Sequence, residues 1–344
     1  MIDEDISNDA TAMARMGRRI RAAFGNRKVL LALKIGVSGA VLAYLFYFTD
    51  IARFYDRLAI LPAWFVVVAW AYYACCTLIS ACRWQLLLAS RGIRVPVIKL
   101  FNFYMVGMFL NSFMPGAIGG DVVKSWDLYR LTGRGNDAVA SVFVDRFTGL
   151  IGLTLLGALA VPFGHHLLES RVAVIAIFGS LVLLFAVVTM LWVGPVARLA
   201  ITIMRRVLPG KIAEKLADLY MALHIYQEGP RTLASAIALS MIIQCLQASY
   251  YAMTALALGI HAEIFYFILF LPAVVLISMV PLTFGGLGVR EGVMIVLFSQ
   301  VGVAGSDVLA ISLTVFVINT VLSLYGGLLM LRREAPARNA ESEP

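Results

Sequence analysis

Long runs of apolar residues alternate with short polar stretches along most of the chain. They lie at roughly 29–48, 62–82, 100–118, 138–163, 172–193, 233–258, 263–282, 289–303 and 307–331. A helix needs about 20 apolar residues to cross the hydrocarbon core of a bilayer. Most of the runs reach that length, whereas the third ends in Pro and Gly and the eighth is short. The pattern predicts an all-α polytopic membrane protein.

The same helix-breaking pattern, Pro-x3-Gly-Gly-x3-Lys/Arg, occurs twice among these runs. Pro and Gly interrupt helices, and backbone groups freed inside lipid must be satisfied by protein or water. Paired breaks in corresponding parts of two halves are typical of a transporter substrate site. The residues are Pro115, Gly116, Gly119, Gly120 and Lys124 in the first break, and Pro281, Gly285, Gly286, Gly288 and Arg290 in the second.

Composition excludes a soluble domain. The 344 residues are 61% hydrophobic and 14% charged, with a mean hydropathy of +0.88, which leaves too little polar surface for a dissolved protein. The net charge of +8 comes from tails and loops between apolar runs, as membrane topology requires. We therefore expect no nucleic-acid partner.

Lys and Arg residues predict the orientation of the chain, because cytoplasmic loops are enriched in them. They concentrate in 1–28, 83–99, 194–232 and 332–344, and Arg83 is counted in the second of these. We expect a cytoplasmic basic tail over 1–28, a transmembrane domain over 29–331 and a cytoplasmic tail over 332–344. Within the domain, 194–232 resembles amphipathic helices on the cytoplasmic surface.

Keeping all the basic segments on one side requires an even number of crossings between them. This holds if 100–120 enters from the cytoplasm and turns back as a re-entrant hairpin. For the second break, 263–282 and 289–303 either both cross or form a hairpin from the outside. The hairpin interpretation gives opposed breaks, as in an inverted repeat. We expect six to eight crossings with two re-entrant segments.

Charged residues inside spans cost roughly 2.5–3.5 kcal/mol each on insertion scales, so each is a functional candidate. Asp145 and Arg146 lie side by side in an apolar run. In a helix they point about 100° apart, so each is expected to pair with another element. Arg146 would meet a lipid phosphate or Asp121. The alternative interpretation is an ion pair that only locks two helices together.

Charged residues also follow each break. Asp121 and Lys124 follow the first, and Arg290 and Glu291 follow the second. A helix that begins after Gly-Gly presents unpaired N–H groups and a positive dipole end, which suits an anionic phosphate. Alternatively, these charges only cap helix ends. Asn111, just before the first break, is a further candidate for headgroup binding, although polar residues in apolar runs more often form hydrogen bonds between helices.

Enzyme motifs are missing from the sequence. There is no Walker A motif and no H-E-x-x-H motif. We therefore expect no catalytic residue, no cofactor and no metal site.

The motifs together resemble a known family. Asn111 through Gly116, then Gly119-Gly120-Asp121, the Asp145-Arg146 pair, and finally Pro281 through Gly292 occur in this order. They resemble the transmembrane region of lysylphosphatidylglycerol synthase, a flippase-like family of integral membrane proteins. The resemblance covers roughly residues 30–330.

The resemblance implies a role in moving lipids. In bifunctional members this region is associated with moving a lysyl-lipid from the inner to the outer leaflet, and a separate cytosolic domain transfers the amino acid. The 344 residues contain no counterpart of that domain, so we expect no synthase activity. Other stand-alone members are associated with polyprenyl-linked sugars or hopanoid-type lipids, which leaves the lipid open.

The sequence therefore favours a flippase of the bacterial inner membrane with both termini in the cytoplasm. Lys124, Arg146 and Arg290 would hold a lipid phosphate. Asp121, Asp145 and Glu291 would balance these charges, or bind a cationic headgroup or a coupling proton. Two alternatives stay open: a membrane glycosyl- or lipid-transferase, and a non-transporting subunit that partners a separately encoded lipid-synthesis enzyme. Homo-oligomerisation also stays open.

Overall fold

A computed structural model of the chain describes residues 51–113, 119–160, 229–278 and 287–332, with four isolated positions between them. The predicted spans at 29–48 and 172–193, both tails and nearly all of 194–232 lie outside the described residues. So do five residues of the two breaks, namely Pro115, Gly116, Pro281, Gly285 and Gly286.

The described part of the chain is helical throughout. Four of the described helices are long and apolar enough to cross a membrane, namely Ala63–Ala89, Gly135–Ala160, Pro230–Ala257 and Gly305–Leu331. This confirms the all-α polytopic membrane fold. The helices are α1 (Ile51–Ile60), α2 (Ala63–Ala89), α3 (Val97–Phe113), α4 (Gly119–Thr132), α5 (Gly135–Ala160), α6 (Pro230–Ala257), α7 (Ile264–Ser278), α8 (Val289–Ser299) and α9 (Gly305–Leu331).

Ion pairs mark the two ends of the helix bundle. At one end, which we call the Arg91 end, Arg91 Nη2 lies 2.7 Å from Asp137 Oδ1. At the other, the Arg57 end, Arg57 Nε lies 3.0 Å from Asp307 Oδ1, and Nη1 donates to the Gly259 carbonyl at 2.9 Å. Helices α2 and α9 therefore run from the Arg57 end to the Arg91 end, and α5 and α6 run the opposite way.

Helices α3 and α4 form hairpin 1, which opens at the Arg91 end. Leu100 near the start of α3 packs in one cluster with Leu128 near the end of α4. Deeper in the hairpin the backbones touch at two glycines, and a Cβ on Gly120 would lie 2.3 Å from the Gly107 carbonyl oxygen. The chain thus returns to the end from which it entered, as predicted for the first break.

Helices α7 and α8 form hairpin 2, which opens at the Arg57 end. The rings of Phe267, near the start of α7, and Phe298, near the end of α8, have centroids 4.8 Å apart. The described helices contain 15 and 11 residues, about 22 and 16 Å, and each is shorter than a core of about 30 Å. This geometry favours the re-entrant interpretation of the second break.

The two hairpins make the described chain an inverted repeat. Helices α2–α5 and α6–α9 each consist of a span, a hairpin and a second span, and the hairpins enter from opposite ends. Each hairpin packs against the final span of the other half: α3 packs on α9, and α7 packs on α5. Both contacts use a glycine of the final span: Gly326 meets the Met105 backbone, and Gly157 meets the Pro272 ring.

One boundary prediction was wrong. Arg83 was assigned to a cytoplasmic loop after a span ending at residue 82, but α2 continues to Ala89 and Arg83 is only 6% exposed. The apolar run resumes beyond Arg83 with Leu86, Leu87 and Leu88, so the helix stays in an apolar environment. An ion pair inside the protein compensates the buried charge.

Candidate functional site

A polar cavity of about 220 Å³ lies between α2, hairpin 1 and α5. Five residues singled out from the sequence line it, so the fold brings together residues from the first break and the charged pair of α5. The lining residues are Tyr73, Cys76, Thr77, Ser80, Arg83, Tyr104, Gly107, Met108, Asn111, Asp121, Lys124, Asp145, Arg146 and Gln247.

Asp145 is the centre of a buried network within this cavity. Arg83 donates to Asp145 Oδ1 from Nε at 3.0 Å and from Nη2 at 2.9 Å. The other carboxylate oxygen accepts from the Tyr104 hydroxyl and lies 3.3 Å from Lys124 Nζ. Arg83 Nη1 also donates to Ser240 Oγ at 2.7 Å. The Asp145 network therefore ties α5 to α2, α3, α4 and α6.

Lys124 lies between the carboxylate and two aromatic rings. Its Nζ is 3.5 Å from the centroid of the Tyr104 ring and 4.6 Å from that of Trp84. Cation–π contacts of this kind stabilise an ammonium group that has lost most of its water. Lys124 is thus held as a cation at the cavity wall while its side chain is only 5% exposed.

Arg146 forms an ion pair with Asp121 of hairpin 1. This is one of the two partners predicted from the sequence. The Arg146 and Asp121 side chains are 33% and 22% exposed, whereas those of Arg83, Lys124 and Asp145 are 7% exposed or less. The Arg146–Asp121 pair is therefore the accessible part of the site, and the Asp145 network lies behind it.

The first helix start after a break is capped by the protein itself. The backbone N–H of Gly120 donates to Asn111 Oδ1 at 2.8 Å. Asn111 thereby joins the two arms of hairpin 1 and satisfies one N–H that the helix start leaves unpaired. Asn111 also lines the polar cavity.

The cavity combines an excess of positive charge with a position deep in the bundle. Arg83, Lys124 and Arg146 outnumber Asp121 and Asp145 by one charge among its lining residues. Asp145 lies ten residues after Gly135 in α5, or about 15 Å along a helix, which is half of a core of about 30 Å. Such a site can hold an anionic group near the middle of the membrane.

Arg290 and Glu291 form a second polar site, the Arg290 cluster, at the start of α8. Arg290 Nε donates to Glu291 Oε1 at 2.9 Å and to Ser312 Oγ at 3.1 Å. Glu291 is fully buried, and its other oxygen accepts from the Gly288 N–H at 2.6 Å. Gly288 has a φ of 87°, which favours glycine. The anion position at this helix start is thus filled by Glu291.

The sequence missed Arg83 and Tyr104 as partners of Asp145, and Ser240 as a partner of Arg83. Arg83 is 62 residues from Asp145 along the chain, and Ser240 is 157 residues from Arg83, so no local spacing relates them. Two features of the sequence are consistent with the pairing of Arg83 and Asp145: a buried carboxylate requires a cation, and the apolar run of α2 continues past Arg83.

Among the described residues, no group of three or more metal-ligating side chains occurs.

Comparison with known proteins gives one family and two relatives. The family described as Lysylphosphatidylglycerol synthase TM region matches residues 31–327. A UPF0104 membrane protein of Pyrococcus horikoshii is 26% identical over 296 residues, covering 78% of this chain and 87% of the relative. A UPF0104 membrane protein of Methanothermobacter thermautotrophicus is 26% identical over 248 residues, covering 65% of this chain and 72% of the relative.

Proposed function

Because the chain belongs to the Lysylphosphatidylglycerol synthase TM region family, we propose that it moves an amphiphilic lipid between the two leaflets of a membrane. One observation supports this most: a charged cavity lies deep inside a bundle of membrane-spanning helices, beside a re-entrant hairpin. Ionised groups at that depth are costly and need a role or a partner. The lipid would be a phospholipid, an aminoacyl-lipid or a polyprenyl-linked lipid.

The headgroup phosphate would enter the polar cavity at its accessible pair. Arg146 is the most exposed of the cations whose side chains meet Asp121 or Asp145 there, so it would meet the phosphate first. The phosphate would then compete with Asp121 for the guanidinium group, which suits bidentate binding. Lys124 and the Asn111 amide would add a charge and a donor, while the acyl chains stay in lipid.

The Asp145 network would hold the walls of the cavity in place. Asp145 compensates Arg83 and Lys124 and fixes the helices around them. Its carboxylate, together with Asp121, would also be the place for a cationic part of a headgroup or a coupling proton. Arg290 would hold the phosphate at the opposed hairpin, with Glu291 as its counter-ion.

The inverted repeat suits such transport. In transporters built from inverted repeats, the two halves exchange conformations and expose a central site to each side in turn. We place the protein in the inner membrane with both termini in the cytoplasm, and this assignment rests on its Lys and Arg distribution. A separately encoded lipid-synthesis enzyme would supply the substrate.

Leaflet exchange of labelled lipids in proteoliposomes tests the proposal. The candidates are aminoacyl-phosphatidylglycerol, phosphatidylglycerol and a polyprenyl-phosphate sugar. We expect faster exchange of one of them, and its loss in Arg146→Ala and Arg290→Ala. Arg134→Ala is the matched control, because Arg134 pairs with Asp137 at the Arg91 end and does not line the cavity.

Two results would contradict the proposal. Normal exchange in both Arg146→Ala and Arg290→Ala would mean that the assigned residues are wrong. No exchange of any candidate lipid by folded protein would disprove transport of these lipids. Chemical conversion of the labelled lipid in the same vesicles would instead indicate a transferase.

A further inference from the structure

We propose that Tyr73 is the gate between the polar cavity and the Arg290 cluster, and that its hydroxyl group donates to the headgroup phosphate as the lipid passes. This inference rests on the proposed function and adds a residue that the sequence did not indicate. It assigns one side chain to the step in which the phosphate leaves the cations of the first half and reaches the cation of the second.

One face of the Tyr73 side chain borders the polar cavity. Its side chain lines the polar cavity together with Cys76 and Thr77 of the next turn of α2. The hydroxyl group forms no hydrogen bond with any residue that the structure describes, and the side chain is partly buried. A phenol in such a position retains its donor for a ligand.

The other side of Tyr73 faces the second half of the protein. Its ring lies 5.7 Å from that of Tyr250, and it packs against a cluster that includes Val315 of α9. Phe316, the next residue, lies under the Arg290 guanidinium at 5.4 Å. The Tyr73 side chain therefore extends from the cavity towards the stretch of α9 that lies beside the Arg290 cluster.

The depths of the two residues agree. Tyr73 lies ten residues after Ala63, the start of α2 at the Arg57 end, and Arg290 lies nine residues before Ser299, the end of α8 at the same end. At 1.5 Å per residue both lie about 15 Å from the Arg57 end. Arg83 lies ten residues further along α2, about 15 Å nearer the Arg91 end. A phosphate that moves from the cavity towards Arg290 would therefore cross the depth at which Tyr73 lies.

The neighbouring tyrosine provides a matched comparison. The Tyr72 hydroxyl donates to the Leu246 carbonyl at 3.0 Å, and the Tyr72 ring stacks on Tyr250 with centroids 6.1 Å apart. Tyr72 is not among the residues that line the cavity. It thus shares the residue type, the helix and an aromatic neighbour with Tyr73, but its hydroxyl group is already used within the protein.

Two measurements test the gate. The first is the rate of lipid exchange by Tyr73→Phe, with Tyr72→Phe as the control. A hydrogen bond to a charged group is stronger than one between neutral groups, so losing it in Tyr73→Phe should slow exchange by about tenfold or more. Tyr72→Phe should exchange lipid at close to the unmodified rate.

The second measurement needs no transport. Ser312 is fully buried beside Arg290, so Ser312→Cys reports on water entering the Arg290 cluster. In protein with its four native cysteines replaced by alanine, a hydrophilic thiol reagent should label this cysteine slowly in nanodiscs. Adding Tyr73→Ala should raise the labelling rate about tenfold or more, which corresponds to about 1.4 kcal/mol, and adding Tyr72→Ala should not. Tyr73→Val replaces Tyr73→Ala if the latter does not fold.

The outcomes separate the gate from the proposed function. If the unmodified protein exchanges lipid and Tyr73→Phe exchanges it equally fast, Tyr73 does not contact the phosphate, although transport stands. If no lipid is exchanged, the proposed function fails, and labelling alone decides whether Tyr73 separates the two sites. If Ser312→Cys is labelled equally fast with the native tyrosine and after Tyr73→Ala or Tyr73→Val, the gate is overturned in either case.

Discussion

At the scale of single residues, the Asp145 carboxylate sets the energetics of the site. It is 2% exposed, and both of its oxygens are used by Arg83, Tyr104 and Lys124. A buried ion pair is itself weak evidence of stability, because desolvation offsets the attraction. Removing one member is different, since it leaves the remaining charges buried without compensation.

We expect Asp145→Asn to lower the free energy of unfolding by about 3–5 kcal/mol, because Arg83 and Lys124 would keep their charges without a carboxylate. The measurement is the fraction of folded protein that survives a heating series, followed by gel filtration. Asp137→Asn is the control: its side chain is 15% exposed in ion pairs at the Arg91 end, and surface pairs contribute at most about 1 kcal/mol.

The cause of the Asp145→Asn effect can be checked within the same series. Adding Lys124→Met to Asp145→Asn removes one uncompensated cation, so the double variant should recover part of the lost stability. Equal stability of Asp145→Asn and Asp137→Asn would contradict the assignment of Asp145 as the centre of the network.

The pairing of charged residues within an apolar run was predicted from the sequence, whereas the position of Arg83, near the edge of such a run, was predicted wrongly. Asp145 and Arg146 were expected to pair with other elements, and Arg146 does pair with Asp121. Arg83 was placed in a loop because a charge usually marks the end of a span. Its partner is 62 residues away, and only tertiary packing relates the two.

At the scale of elements, glycine contacts determine how closely the hairpin arms and spans approach. A Cβ on Gly120 would lie 2.3 Å from the Gly107 carbonyl oxygen, and one on Gly326 would lie 2.0 Å from that of Met105. The first contact brings the two arms of hairpin 1 together, and the second packs hairpin 1 against α9. Small residues at such contacts allow helix backbones to pack closely within a membrane.

We expect Gly120→Ala and Gly326→Ala each to destabilise the fold by about 1–3 kcal/mol, the usual cost of overpacking, because backbone atoms must move apart. Gly292→Ala is the control, since a Cβ there meets nothing within 4 Å and alanine favours a helix by about 0.5–1 kcal/mol. The fraction of each variant that stays folded after heating in detergent measures this change in stability. A Gly120→Ala protein as stable as Gly292→Ala would mean that the arms of hairpin 1 do not touch there.

The elements were more predictable than their contacts. The two Pro-x3-Gly-Gly breaks predicted where helices end, and α3, α4, α7 and α8 lie on either side of them. Hydropathy alone did not decide whether the two segments beside the second break both cross the membrane or form a re-entrant hairpin. The lengths of α7 and α8 favour the hairpin, and these lengths depend on tertiary packing that hydropathy does not describe.

At the scale of the whole molecule, the inverted repeat makes the two hairpins equivalent in topology but different in content. Hairpin 1 borders an open cavity with exposed charges at Arg146 and Asp121. At the corresponding start of α8 in hairpin 2, Glu291 fills the anion position and Arg290 donates to Ser312. Under the proposed function, this difference between the described parts of the two halves suits an exchange of conformations between repeats.

The orientation of the molecule is open to a direct test. The Arg91 end contains Arg91, Arg94 and Arg134, and positive residues face the cytoplasm. We therefore expect a membrane-impermeant maleimide added to intact cells to label Gln300→Cys, near the Arg57 end, and not Ser90→Cys. Both positions are exposed, so both should react once the membrane is permeabilised.

This labelling should be done after the native Cys75 and Cys82, which are exposed, have been replaced by alanine. Labelling of Ser90→Cys alone in intact cells would reverse the orientation and place hairpin 1 on the outer side. Under the proposed function, the polar cavity would then receive a lipid from the opposite leaflet. Because the fold is an inverted repeat, such a reversal would leave the topology of spans and hairpins unchanged, so only the Lys and Arg distribution distinguishes the two orientations before the experiment.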